Sequence, residues 1–565
     1  LVLTGNRRFI YSHFEAEMGH GEDKGMLEPA ETYEQIVNQF KWQIPERFNI
    51  AQAVCTRWAL ERPDAPAIIE HMVDGPVRTT SFSELEEMSN RFANLLVKSG
   101  IGRGDRVALL LPQARETAAA HVAIYKIGAI AVPLAMLFGV EAVQYRLQNS
   151  GAKALIMSTA SRENISEILP GLDALHMVFC IDGKLDIALH IHDESRSLPA
   201  SFETVDTTPD DAALMIYTSG TTGPPKGALH GHRVLLGHIP GIQFAHEFFP
   251  QPGDLMWTPS DWAWAGGLLN ALLPALYFGV PVLAYKYTKF DPANAWDLMA
   301  LHKVRNVFIP PTALKLMRAS TPDDVDKLTL RTIFSGGEAV GGALQEWAED
   351  SLDMKINEVY GQTECNLVLE SCNAIGVWKK GAIGKAVPGH TVAIVDDAGN
   401  ALPDGEAGNI AVQRPDPVMF LEYWGKPEAT RDKYVGDWLL TGDQGFKDAE
   451  GYFHFVGRDD DVITSSGYRI GPGEIEDCLS RHPSVKLAAV IGVPDPVRTE
   501  IVKAFVVLND GFEATDALHA EIQDHVRNRL SAHEYPREIE FRDELPLTTT
   551  GKVIRRLLRN DPSSN

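Results

Sequence analysis

Three apolar runs in this chain each stop abruptly in a cluster of glycine, hydroxyl and acidic residues. Leu214-Met215-Ile216-Tyr217 runs into Thr218-Ser219-Gly220-Thr221-Thr222-Gly223. Thr332-Ile333-Phe334 runs into Ser335-Gly336-Gly337-Glu338. Glu358-Val359-Tyr360 runs into Gly361-Gln362-Thr363-Glu364. In open α/β sheets ligands bind outside the carboxyl ends of strands, so three such ends predict one polar crevice. The earlier chain has a matching rhythm. Ser83-Glu84-Leu85-Glu86 reads as a capping box, and Leu85, Met88, Phe92, Leu95 and Leu96 follow at helical spacing up to a left-handed cap at Gly100. Residues 107–111 and 129–134 read as buried strands on either side of a second helix that ends near Gly128. This β-α-β order predicts an α/β fold with a largely parallel sheet.

The texture changes beyond about residue 386. Turn sequences such as Asp397-Ala398-Gly399-Asn400 and Pro403-Asp404-Gly405-Glu406 alternate with short strands. Gly457-Arg458-Asp459-Asp460-Asp461 then makes a compact polar break, followed by a helical pattern from Glu474 and a strand at 488–492. The expected architecture is a large N-terminal domain over 26–457, built of parallel-sheet α/β subdomains with a β-rich subdomain at 386–457. A hinge at 458–461 leads to a small mobile α+β domain at 462–565. Residues 1–25 are polar and charged and read as a leader or flexible arm; 560–565 read as a short disordered tail. Residues 262–285 carry no charge, but Pro274 and Pro281 divide them, which favours a buried helix–strand pair over a membrane span.

Charge narrows the partners. The 565 residues hold 52 Lys+Arg against 76 Asp+Glu, a formal charge of −24. An acidic surface repels nucleic-acid backbones, so an anionic ligand must find a locally positive site. Five scattered cysteines without a C-x-x-C pair fit a reducing compartment, and a cytoplasmic location is expected.

Residues 218–227 supply such a site. Four hydroxyls, three glycines and Lys226 let backbone N–H groups, O–H groups and one ammonium converge on phosphate oxygens. Gly227 after Lys226 breaks the Walker A rule. The stretch Tyr217-Thr-Ser-Gly-Thr-Thr-Gly-Pro-Pro-Lys-Gly227 instead resembles the signature of the adenylate-forming superfamily. Ser335-Gly-Gly-Glu338, Tyr360-Gly-Gln-Thr-Glu364, Thr441-Gly-Asp443, Gly457-Arg458 and Pro546-Leu-Thr-Thr-Thr-Gly-Lys552 follow in that family's order, over roughly residues 45–560. Ser465-Ser-Gly-Tyr-Arg-Ile-Gly-Pro-Gly-Glu474, Asp495-Pro-Val-Arg498 and Tyr535-Pro-Arg537 look most like its medium-chain acyl-CoA synthetase branch.

The resemblance implies an acid–thiol ligase. A carboxylate and ATP give acyl-AMP and pyrophosphate, and coenzyme A then displaces AMP. ATP contacts are implied for Thr218, Ser219, Gly220, Thr221, Thr222, Gly223 and Lys226. Gly336, Gly337, Glu338, Glu358, Tyr360, Gly361, Gln362 and Thr363 follow along the next two strand ends, then Asp443, Arg458 and Lys552. Glu364 would hold Mg²⁺, a hard cation that suits a carboxylate with phosphate oxygens, and Lys552, Glu364 and Thr363 would be catalytic. Asp460 matches the family's hinge aspartate. Coenzyme A contacts are implied for Ser466, Gly467, Tyr468, Arg469, Arg498, Tyr535 and Arg537. Trp262, Trp264, Gly266 and Gly267 occupy the acyl-pocket segment, where Trp262 departs from the threonine of medium-chain relatives; the tryptophans would shorten the pocket and the glycines widen it. The expected acid is a short- to medium-chain, branched or unbranched, fatty acid. The alternatives are an acetyl/propionyl-CoA synthetase, an aryl-acid ligase and a non-catalytic nucleotide-binding protein. No nucleic-acid partner and no membrane span are expected; acetylation of Lys552 and a homo-oligomer are.

Overall fold

The computed structural model describes residues 27–72, 75–218, 224–287, 290–458, 461–465, 468–495, 498–530, 535–548 and 552–559, with the side chains of Thr464, Tyr468 and Arg469 excepted. The expectations for the arm at 1–25, for Ser219–Gly223, Asp460, Ser466 and Gly467, for the side chains of Tyr468 and Arg469, and for the tail at 560–565 therefore lie outside the described residues.

Two large sheets form the first part of the chain. One has eight strands, in the order 422–423, 226–231, 212–218, 130–134, 106–110, 154–157, 177–180 and 189–190. It is parallel except where 226–231 pairs antiparallel with both of its neighbours. The other has nine strands, parallel in the middle and antiparallel at both ends. Apolar faces of both sheets and the helices Phe82–Lys98, Arg115–Lys126 and Val234–Ala245 merge into one core, in which Leu109, Leu235, Val282 and Phe334 are buried. The three diagnostic strand ends are thus divided between two sheets: Ala212–Thr218 belongs to the first, and Thr332–Gly336 and Ile356–Gln362 are parallel neighbours in the second.

A five-stranded, largely antiparallel sheet follows over 392–458, and the small domain carries its own five-stranded sheet with the helices Pro472–Ser480 and Asp516–Arg529. No helix among the described residues is long and apolar enough to cross a membrane. The uncharged segment folds instead as the helical turns Ala265–Gly267, Leu268–Leu272 and Leu273–Tyr277, then the strand Val282–Tyr285.

One local expectation is corrected. The capping box of helix Phe82–Lys98 is Ser81 with Glu84, not Ser83 with Glu86. Both pairs fit the S-x-x-E spacing. Glu86 is drawn elsewhere by Lys126, which is fully buried and donates to Glu86 Oε1 and Asn90 Oδ1 at 2.5 Å each. A buried ammonium without those partners would be costly, so the tertiary pair outcompetes the local cap.

Candidate active site

The ends of the nine-stranded sheet and the 392–458 sheet meet at Asp443. This carboxylate is buried on strand Trp438–Lys447, in register with Arg458 on the neighbouring strand. Tyr360 Oη and Gln362 Nε2, from strand Ile356–Gln362, each donate to Asp443 Oδ2 at 2.7 Å. Gln362 Nε2 also reaches the Thr441 carbonyl at 2.9 Å. Arg458 Nε stands 3.8 Å from Asp443 Oδ1. Burial raises the Asp443 pKa, while Tyr360, Arg458 and Gln362 oppose that rise. Two donors saturate one oxygen and leave Oδ1 facing a cation, an arrangement suited to accepting a ligand hydroxyl.

Glu364 lies just beyond the same strand and is buried. Its Oε1 accepts the hydroxyl of Tyr423, and its carbonyl accepts the Phe420 N–H at 2.9 Å. Lys226 Nζ lies 4.8 Å from the centre of the same Tyr423 ring. Tyr423 therefore ties the lysine after the glycine-rich loop to the acidic strand end. Sequence reading missed it, because a lone tyrosine 59 residues from its partner carries no local signal.

The glycines have distinct reasons. A side chain at Gly336 would strike the Val359 carbonyl of the adjacent strand, and one at Gly361 would strike the Leu367 amide. Close backbone approach therefore requires glycine at both positions. Gly337 has φ +91°, and its missing Cβ would lie 3.5 Å from Lys552 Cε and 3.6 Å from Nζ. Lys552 is thus delivered to the tip of strand Thr332–Gly336. It remains accessible, and the protein around it lowers its pKa by desolvation; Glu338 and Asp443 work against that shift and Arg458 with it. Glu338 is itself held by Thr312 Oγ1, at 3.2 and 2.9 Å from its two oxygens. Glu358 points away into the protein, where it accepts the Val340 N–H at 3.1 Å. Burial pushes its pKa up to about 8, against the pull of that N–H and with the added push of Asp477.

The segment carrying Lys552 is anchored from behind, through the short helix Arg555–Arg559. Arg555 donates to both oxygens of Glu476 at 2.7 and 2.8 Å and pairs with Asp461 at 3.3 Å; Arg559 reaches Asp461 at 2.7 Å. Glu476 did not stand out in the sequence, and Asp461 did so only as part of the hinge at 458–461, since their partners lie 79–98 residues away. Elsewhere on the small domain, the Arg537 and Arg527 guanidinium groups lie 5.0 and 5.6 Å from the Tyr535 ring centre, and the Arg498 N–H is held by Asp495 at 2.7 Å.

The acyl-pocket expectation changes at the glycines. A side chain at Gly266 would meet the Phe308 ring, and one at Gly267 the Asp261 and Ser260 carbonyls. Both glycines serve close packing, so they do not widen a pocket. Trp262 is buried in the main core, and Trp264 packs edge-on to Phe138 at 5.5 Å. Asp261 fixes the turn by accepting the Met136 and Ala263 N–H groups at 3.2 and 3.0 Å; burial raises its pKa to about 6.

Comparison with known proteins shows the family. Residues 55–424 match the AMP-binding enzyme family, and residues 474–552 match the AMP-binding enzyme C-terminal domain. The rat acyl-coenzyme A synthetase ACSM3, mitochondrial, is 34% identical over 580 residues, covering 99% of this chain and 97% of the relative. The acetyl-coenzyme A synthetase of Bacillus subtilis (strain 168) is 35% identical over 85% of this chain and 84% of its own. Among solved structures, the anthranilate CoA ligase AuaEII in complex with anthranoyl-AMP superposes with a TM-score of 0.85 at 28% identity, over 91% of this chain and 97% of the other.

Proposed function

With the chain belonging to the AMP-binding enzymes, as an AMP-forming acyl-coenzyme A synthetase, we propose that its acid is an apolar carboxylic acid of short to medium length. The observation that carries the residue assignments is the position of Lys552, set against Gly337 and within electrostatic reach of Glu338 and Asp443. In the first half-reaction a carboxylate oxygen attacks the α-phosphorus of ATP, and the bond to pyrophosphate breaks. Both reactants are anions, so a cation between them lowers the barrier. Lys552 takes that role, Asp443 Oδ1 and Arg458 take the ribose hydroxyls, and Lys226 takes the outer phosphates.

The residues at the acidic strand end suit Mg²⁺. Glu364 is a single buried carboxylate beside Thr363 and Gln362, and no group of three or more His, Cys, Asp or Glu is poised for a metal among the described residues. One carboxylate with substrate phosphates is how this cation is commonly held. Bound there, it supplies charge neutralisation to the phosphate oxygens.

In the second half-reaction the coenzyme A sulfur attacks the acyl carbon and AMP leaves. Lys552 must withdraw first, which a rotation of the small domain about 458–461 provides. Arg469, Arg498 and Arg537 are the candidates for the coenzyme A phosphates. Acetylation of Lys552 would remove its charge and silence the first half alone. Five free, buried thiols suit a reducing compartment, and we assign a cytoplasmic location on that ground.

A panel of carboxylates from acetate to decanoate, with branched and aromatic members, tests the acid by coenzyme-A-dependent AMP release. Each buried methylene contributes about 0.8 kcal/mol, so rates should climb with chain length until the pocket is full. A second reading, an acetate- or propionate-sized acid, draws support from the Phe308 ring against Gly266 and from the two tryptophans. Activity that peaks at acetate would favour it. Preference for aromatic acids would overturn both readings, and absence of AMP release with every acid would refute a catalytic role.

A further inference from the structure

Helix Gly342–Leu352, in the large domain, starts without a cap of its own. Its N-cap residue is Gly341, with φ +78° and no side chain to accept the first free N–H groups. The acceptor comes from the other domain. Asp477 Oδ1, on helix Pro472–Ser480, takes the Ala343 N–H at 3.0 Å. The two glycines at this junction make the approach possible: a side chain at Gly341 would strike the Asp477 carboxylate, and one at Gly342 would strike the Arg481 guanidinium. Arg481 adds an ion pair to Asp477 at 3.1 Å and stands 3.6 Å from Glu346, one turn into the capped helix. Beside it, Arg318 at the end of helix Pro311–Arg318 donates to the Ser480 carbonyl at 2.8 Å. The C-terminal turn of one small-domain helix is therefore seated on two large-domain helix ends.

The position of this seat matters. The loop entering the capped helix begins at Gly337, whose missing Cβ would lie 3.5 Å from Lys552, and ends at Gly341–Ala343, where the Ala343 N–H bonds Asp477. In between, Val340 is pinned to the sheet by Glu358. One short, fixed loop thus meets the small domain at two points, the catalytic lysine at one end and the capping aspartate at the other.

We propose that Asp477 is a positioning residue: by capping helix Gly342–Leu352 across the domain boundary, it holds the small domain in the pose that delivers Lys552 for adenylate formation, and this cap is broken before thioester formation. The inference rests on the synthetase reading above. Asp477 touches no reacting atom; it acts through the orientation of its domain. Its cap favours one pose, so its loss shifts the population of poses.

The test separates the two half-reactions in the full-length enzyme. Acid-dependent ATP–pyrophosphate exchange reports the first, and AMP release from supplied acyl-adenylate with coenzyme A reports the second. In Asp477→Ala, exchange should fall roughly fivefold, the population change expected from losing one helix cap, while the second half is unchanged or faster. Asp477→Asn keeps a carbonyl oxygen for the Ala343 N–H and should recover most of the loss. Gly342→Ala, which displaces Arg481 and leaves the Asp477 cap in place, should lose less exchange than Asp477→Ala. Equal loss in both halves would reduce Asp477 to a structural residue and overturn the proposal, as would unchanged exchange in Asp477→Ala. An unmodified chain that shows no exchange with any acid would overturn the synthetase reading itself, a result distinct from either.

Discussion

The wall around Asp443 and Glu364, proposed above to hold the nucleotide, and the tail that carries Lys552 are held in opposite ways. In the wall, Asp443 and Glu364 are buried, and their oxygens are fixed by Tyr360, Gln362 and Tyr423. In the tail, Lys552 is accessible; its own N–H goes to Thr548 Oγ1 at 2.9 Å, and the helix that follows is tied behind by Arg555 and Arg559. The wall is set before a ligand arrives, as electrostatic stabilisation requires. The tail is a point charge placed by the pose of a whole domain. A lysine suits that part, because its compact ammonium needs position more than a particular orientation.

Replacing the delivered charge should produce the largest effect. In Lys552→Ala, ATP–pyrophosphate exchange should fall by about 10²–10³, the scale of removing one transition-state donor. Release of AMP from supplied acyl-adenylate should stay within about twofold, since the proposed mechanism withdraws the cation in that step. Measuring both rates on one preparation sharpens the contrast. A comparable fall in the second rate would mean that Lys552 belongs to the fixed wall after all.

How far the two regions could be read from sequence follows the same division. The strand ends at 332–338 and 356–364 were legible because short apolar stretches stop abruptly in glycine, hydroxyl and acidic residues, as strand ends at a ligand crevice do. Lys552 was identifiable only through resemblance, since a lysine after a glycine is otherwise an ordinary exposed charge. What holds these residues was not legible. Tyr423, Asp461, Arg555 and Asp477 act on partners far along the chain, so no spacing rule could single them out. The misassigned cap at Ser83 and Glu86 has the same origin: two overlapping boxes fit, and a distant buried lysine chose between them. The glycines at 266 and 267 were read as vacant space because sequence cannot see Phe308 and the Asp261 backbone filling it.

Glu358 tests the other side of the contrast, the cost of a rigid wall. Its pKa rises on folding from 4.5 to about 8. For an acid the sign is fixed. Below pH 4.5 it is neutral in both states and costs nothing. From there towards pH 8 only the unfolded chain ionises, so stability is progressively lost. Glu358→Gln keeps an oxygen for the Val340 N–H and cannot ionise. It should stabilise the protein by roughly 2–3 kcal/mol at pH 7, with a gain that vanishes near pH 4.5. Thermal unfolding of both proteins between pH 5 and 8 checks this, and a gain independent of pH would show that burial does not hold the proton on Glu358.

Asp443→Asn should have the smallest effect of the three, and its form is informative. The wild-type carboxylate accepts from Tyr360 and Gln362 on Oδ2 and presents Oδ1 toward Arg458. An asparagine has one acceptor oxygen. If that oxygen keeps Tyr360 and Gln362, the amide NH₂ is turned toward Arg458 and toward the ribose, where two donors then face each other. If the amide flips, the NH₂ meets the donors of Tyr360 and Gln362 instead. Either way one buried polar contact is lost without a change of shape, which costs about 1–2 kcal/mol. In the proposed role Asp443 holds the ribose in ground state and transition state alike, so that loss should appear as a KM for ATP raised about tenfold, with kcat little altered. Loss confined to kcat would place Asp443 with the delivered charge of Lys552, as part of the chemistry and not of the preset wall.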